Sequence, residues 1–91
     1  MRLSLRRTGG FAGMAFKADV DTATLSASER ERVEQLAAKL ATSPPGPRNP
    51  QARDVYTYEL HAGGKTYTAD DTNLPDDWRP LLDWLSEHGG G

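Results

Sequence analysis

Two glycine pairs, Gly9-Gly10 and Gly63-Gly64, constrain this chain most, because each stands between short runs that alternate apolar with polar residues. Alternation with period two is the pattern of a half-buried strand, and a glycine pair supplies the backbone freedom that a tight hairpin needs. Around the first pair, Leu3 and Leu5 point one way and Arg2, Ser4 and Arg6 the other, while Met14, Phe16 and Val20 repeat the alternation. A two-residue turn at Gly9-Gly10 pairs Leu5 with Met14 and Leu3 with Phe16. A one-residue slip would set these residues against polar neighbours. That register carries Phe11 beside Thr8 on the outer face, and a longer loop would still leave Phe11 near the apex. Around the second pair, a two-residue turn matches Leu60 with Tyr67 and Tyr58 with Ala69 on one face. It matches Glu59 with Thr68 and His61 with Thr66 on the other.

Between the hairpins the period changes to that of a helix. Ser26 and Glu29 have capping-box spacing, and Ser28 with Glu31 is a second candidate start. Val33, Leu36, Ala37 and Leu40 then form one apolar stripe. A connector over residues 42–52 holds four of the six prolines and no apolar pattern, and reads as extended. A second helix is expected after Pro75-Asp76-Asp77, with Trp78, Leu81, Leu82 and Leu85 on its stripe and Trp84 at its margin. Pro80 removes one helical donor, so regular helix should begin near Arg79. The order is ββαββα. It predicts an α+β fold, a four-stranded antiparallel sheet with both helices packed on one face, as a single domain over residues 1–91.

Composition narrows the function classes. A chain of 91 residues buries only a little over three-fifths of its unfolded surface, which leaves little room for an enclosed active site. The net charge is −2, which does not favour nucleic acid, and no apolar run approaches a membrane span. There is no cysteine, hence no disulfide framework and no thiolate chemistry. Residues 1–7 carry positive charge without the apolar stretch of a signal peptide, so a cytoplasmic location is expected.

No catalytic constellation emerges, and an enzyme is not expected. His61 and His88 are the only histidines, and neither sits at a zinc-ligand spacing. His61 falls on the outer face of the second hairpin and His88 at a helix C-terminus. Asp70-Asp71 and Asp76-Asp77 can be read as carboxylate metal sites or acid/base pairs, or as a turn followed by the acids of a helix start; the second reading needs no further partners. No metal and no cofactor is expected. Phe11 stands apart, a large apolar group flanked by glycines at a hairpin tip. Either the loop folds back and Phe11 covers the end of the core, or Phe11 is presented to a partner as an anchor.

Two strings carry a resemblance. Arg7-Thr8-Gly9-Gly10-Phe11-Ala12-Gly13-Met14 with Val20-Asp21-Thr22, and Arg79-Pro80-Leu81-Leu82-Asp83-Trp84-Leu85 with Tyr56-Thr57-Tyr58 and Leu74-Pro75, resemble the two halves of emfourin-like proteins. The resemblance spans nearly the whole chain and is weakest over the connector. It implies a proteinaceous inhibitor of thermolysin-like, notably protealysin-type, zinc metallopeptidases. Against such an enzyme Gly9-Gly10-Phe11-Ala12 reads like a substrate, so Thr8, Gly9, Gly10, Phe11, Ala12 and Gly13 are expected to contact the peptidase, with Phe11 in the apolar subsite just after the cleaved bond. Ala62, Gly63, Gly64 and Lys65 are a secondary contact candidate, and the N-terminal amine, Asp70 or Asp71 are rival zinc-approaching groups. The free inhibitor is expected to be a monomer, with no nucleic acid and no membrane partner. The alternatives are a non-inhibitory interaction module, a small metal-binding protein or enzyme using the aspartates, and a nucleic-acid binder using Arg2, Arg6 and Arg7.

Overall fold

A computed structural model describes residues 1–9, 15–51 and 55–88. Strands β1 (Arg2–Gly9) and β2 (Phe16–Asp21) are followed by a 3₁₀ turn at Thr22–Thr24 and helix α1 (Ala27–Thr42). Strands β3 (Tyr56–Ala62) and β4 (Lys65–Asp70) then lead through a second 3₁₀ turn, Asp76–Trp78, into helix α2 (Arg79–His88). The strands form one antiparallel sheet in the order β2-β1-β3-β4. The ββαββα order and the α+β class are those the sequence predicts.

Alternation decides which face of the sheet is buried. Leu3, Leu5, Ala18, Leu60, Ala62 and Ala69 join Val33, Ala37 and Leu40 of α1 and Leu81, Leu82, Trp84 and Leu85 of α2 in one core. Ser26 caps α1 as its spacing requires, its hydroxyl accepting from the Glu29 amide at 3.3 Å. Trp78 is fully buried and meets the Tyr67 ring edge-on, with centroids 6.2 Å apart. Pro80 falls in the first turn of α2, where its missing N–H has no helical acceptor to lose. Trp84 departs from the expected margin and is only 8% exposed. Helix α2 touches both the sheet and α1, so its apolar face is wider than one stripe.

The second hairpin has the predicted register. Leu60 faces Tyr67, Tyr58 faces Ala69, Glu59 faces Thr68 and His61 faces Thr66. Gly63 and Gly64 have φ of 58° and 82°. Both are left-handed, which is what a two-residue type I′ turn demands.

The first hairpin does not have the predicted register. Leu3 faces Val20, Leu5 faces Ala18 and Arg7 faces Phe16. Neither the Leu5–Met14 nor the Leu3–Phe16 pairing is formed, and residues 8–15 lie between the last paired positions. The buried face is nevertheless as expected, because the shift is an even number of residues and side-chain parity is preserved. The physical reason lies at Gly9. Its φ is 92°, but it stays paired with Tyr56 of β3 and does not turn the chain back onto β1. β1 therefore runs on past the end of β2.

The 3₁₀ turn after β2 is an addition to the predicted elements. Asp21 caps it, its carboxylate accepting from the Ala23 amide at 3.0 Å. Thr22 is fully buried there, its hydroxyl within hydrogen-bond reach of the Met1 carbonyl and of Glu34 Oε2.

Candidate functional site

The register sorts the sequence-derived candidates between two ends of the sheet. β1 carries Thr8 and Gly9 at one end, beside Thr57 and Tyr56 of β3. At the other end Leu3 faces Ala62, and Ala62 faces Lys65 across the Gly63-Gly64 turn. Six residue steps separate Leu3 from Gly9, about 20 Å at the usual strand rise. Thr8 and Gly9 thus lie far from Ala62, Gly63, Gly64 and Lys65. Met1 belongs to the Gly63 end, where its carbonyl accepts from the Thr22 amide at 2.9 Å. Gly10, Phe11, Ala12 and Gly13 lie outside the described residues, as does Met14.

The Gly9 end is built from side chains that fix one another. A Cβ at Gly9 would stand 2.8 Å from the Val55 carbonyl oxygen. Both backbone angle and space therefore require glycine here. Next along β1, on the face shared with the core, the Arg7 guanidinium lies 5.1 Å from the Phe16 ring centroid and 4.8 Å from that of Tyr56. A guanidinium at this range over two aromatic faces is held by the negative π-clouds. Tyr56 is 38% exposed, one of the few large apolar side chains left open among the described residues.

Asp71 locks the start of β3. One carboxylate oxygen accepts from the Tyr58 hydroxyl at 2.7 Å and the other from the Tyr56 amide at 2.8 Å. The Asp71 amide in turn donates to the Tyr56 carbonyl. Burial, then the hydrogen bond to Asp71 and that residue's negative charge, push the Tyr58 phenol up to about 12.

Asp70 organises the connector. Its side chain is 2% exposed and accepts from Arg48 Nε at 2.8 Å and from the Thr72 amide and hydroxyl. The hydrogen bond from the Thr72 hydroxyl, with lesser contributions from the Thr72 amide and Arg48, holds its carboxyl below the usual carboxylate range, against the opposing effect of burial. The Asn49 amide donates to the Thr72 hydroxyl, and Asn73 Nδ2 donates to the Gly46 carbonyl. The connector, which the sequence presents only as an extended segment, is therefore pinned to the end of β4. Thr8, Thr57 and Asp70 lie in one row across β1, β3 and β4, so the pinned segment and the Gly9 end share one end of the sheet.

Both aspartates of the Asp70-Asp71 pair are thus taken up inside the chain. Asp77 accepts from Ser43 at the end of α1, and Asp76 pairs with Arg79. His61 lies 2.7 Å from Glu59 and 3.1 Å from Thr66 on the outer face, and His88 stacks on Trp84. Among the described residues no group of three or more His, Cys, Asp or Glu side chains is placed to hold a metal ion. Among them, too, no helix is long and apolar enough to cross a membrane. An open groove of about 660 Å³ separates α1 from α2, lined by Glu29, Arg32, Asp83 and Trp84 among others.

Sequence reasoning passes over Arg7, Tyr56 and Arg48 as working parts, and it reads Asp71 as a metal-approaching or turn carboxylate, not as the lock on β3. Arg7 carries a signal, since its parity sets it on the apolar face with Leu3 and Leu5. The partners of Arg48 and Asp71 lie far along the chain and leave no local pattern.

The family model for emfourin matches residues 5–86. No curated protein and no solved structure matches the chain.

Proposed function

The chain belongs to the emfourin family, a family of protein inhibitors of proteases, and from that premise we propose that it inhibits thermolysin-like, protealysin-type zinc metallopeptidases. It acts as one inhibitor domain, monomeric when free, and itself performs no catalysis. Residues 8–13 enter the cleft of the enzyme. Phe11 occupies the apolar subsite that such enzymes use just after the cleaved bond, and the Gly10 carbonyl approaches the open fourth position of the enzyme's zinc.

The observation that carries this reading is the anchoring of Gly9. It is paired with Tyr56, it lies where a Cβ would meet the Val55 carbonyl, and in sequence it leads directly into the Phe11 segment. A segment that leaves a fixed strand loses less freedom on binding than one that leaves a mobile loop. The rival zinc-approaching groups are less well supplied. Asp70 and Asp71 are engaged internally, and Met1 lies at the opposite end of the sheet.

The test is a titration into thermolysin and a protealysin-like enzyme, each cleaving a small peptide. Dose-dependent inhibition with the inhibitor left uncut is expected. Phe11→Ala should weaken it by about 2 kcal/mol or more, roughly thirtyfold, as loss of an interface anchor does. No inhibition of either enzyme at micromolar protein would end the metallopeptidase reading. Undiminished inhibition by a folded Phe11→Ala variant would end the role given to Phe11.

A further inference from the structure

We propose that residues 46–51 of the connector form a second peptidase-contacting segment, seated on the rim of the cleft that the first hairpin enters. This rests on the inhibitor reading above. It replaces Ala62, Gly63, Gly64 and Lys65 in that role.

A stable enzyme–inhibitor interface buries about 800 Å² on each partner and engages roughly 20–30 residues a side. Six residues of one hairpin tip fall well short of that, so neighbouring segments must contribute. The Gly63 turn lies about 20 Å away along the strands. The connector is pinned to the end of β4, and Asp70 there stands two strand spacings, about 10 Å, from Thr8 at the Gly9 end of the sheet.

The segment is fixed yet exposed. Residues 46–51 are all exposed and cover no core. Three bonds nevertheless hold them: Arg48 to the buried Asp70, the Asn49 amide to Thr72, and Asn73 to the Gly46 carbonyl. The Arg48 bond also satisfies the buried Asp70 carboxylate, so the same contact that stabilises the fold fixes the segment. Pro47 and Pro50 stiffen it further, since each fixes its own φ. An exposed segment held in one conformation has already lost the freedom that binding would otherwise remove.

The chemistry of the segment names the kind of surface it fits. Pro47 and Pro50 have no backbone N–H, so the backbone of this strip presents more carbonyl acceptors than amide donors. Its complement is a rim rich in hydrogen-bond donors, such as asparagine, glutamine or arginine side chains.

The test uses the full chain and a thermolysin-type peptidase that the wild type inhibits. The double variant Pro47→Ala/Gln51→Ala touches no pinning bond made by a side chain and should melt no more than a few degrees below the wild type. Its inhibition constant should rise about tenfold, whereas Lys65→Ala should leave it unchanged. Amide exchange at Gly46, Arg48, Asn49 and Gln51 should slow in the complex. An unchanged constant for the double variant, with exchange no slower, overturns the connector proposal while inhibition by the wild type keeps the inhibitor reading. A raised constant for Lys65→Ala restores the second turn and overturns it too. Failure of the wild type to inhibit overturns both together.

Discussion

Gly63 and Gly64 turn β3 into β4 in two residues, and nothing stands within 4 Å of where either Cβ would be. Gly9 also has a positive φ, yet it ends a strand that continues beyond its β2 partner, and its missing Cβ is matched to a carbonyl 2.8 Å away. One glycine pair is needed for backbone angle alone. At the other hairpin the described glycine is needed for angle and for close approach. Glycine pairs with alternating flanks therefore mark hairpins, but they do not say whether the glycine makes the turn or is itself held in the sheet. The braced end is the one proposed to meet the peptidase, and the open turn has no part in that proposal.

The sharpest way to break this comparison is Gly9→Ala. A side chain held at such a φ costs on the order of 1–3 kcal/mol, and the clash with Val55 adds to it, so about 3 kcal/mol of stability should be lost. Denaturant unfolding measures it. Inhibition by the fraction that remains folded should fall as well, because relief of the clash must move Gly9 off β3. A loss no larger than that from Gly64→Ala would mean that Val55 yields freely and that the two ends are braced alike.

Why one register was legible and the other was not follows from the residues involved. Around β2 every even position from 14 to 20 is Met, Phe, Ala or Val, so sliding the strand by two or four residues keeps an apolar face apolar. Parity identified the face, and nothing local identified the pairing. In the second hairpin the flanks admit one alignment. Sliding it by two would set Leu60 opposite Lys65 in one direction or Tyr58 opposite Asp71 in the other, and the adjacent glycines already satisfy a type I′ turn. The Ser26 cap and the start of α2 were legible because their signals lie within four residues of each other. The pinning of the connector was not, since Arg48 and Asp70 are 22 residues apart and only folding brings them together. The 3₁₀ turn left a weak mark in Asp21, a residue type that commonly bonds the amide two positions on. For the site, Phe11 could be singled out by its neighbours, whereas Tyr56 and Arg7 could not, because their importance comes from stacking across three strands.

A smaller perturbation sharpens the contrast from the β3 side. Tyr58 belongs to the second hairpin by sequence, but its hydroxyl serves the Gly9 end by holding Asp71. Tyr58→Phe leaves one Asp71 oxygen without this donor and should cost about 1 kcal/mol. It should also change the alkaline limb of stability. The folded-state pKa is raised from 10.0 to about 12, so the folded chain holds this proton more tightly than the unfolded one. The resulting stabilisation is complete below about pH 10 and disappears as pH rises through about 12. Unfolding measured against pH should show that decline in the wild type and lose this component in Tyr58→Phe. An identical alkaline limb in both would mean that Asp71 is held by the Tyr56 amide alone.

The smallest effect belongs to the open turn. Gly63 has φ of 58°. This is the left-handed region that asparagine tolerates best among residues with a side chain, and Asn-Gly is the favoured pair for a type I′ turn. Nothing stands near its Cβ position. Gly63→Asn should therefore change stability by no more than about 0.5 kcal/mol, the range of an unencumbered surface substitution. Inhibition should be unaltered, because this turn lies at the end of the sheet away from Gly9. The pairing of results carries the weight. If Gly63→Asn were as harmful to inhibition as Gly9→Ala, without loss of stability, the Gly63 turn would itself meet the peptidase. The enzyme would then have to reach both ends of a sheet about 20 Å long, which a single cleft-filling hairpin does not require.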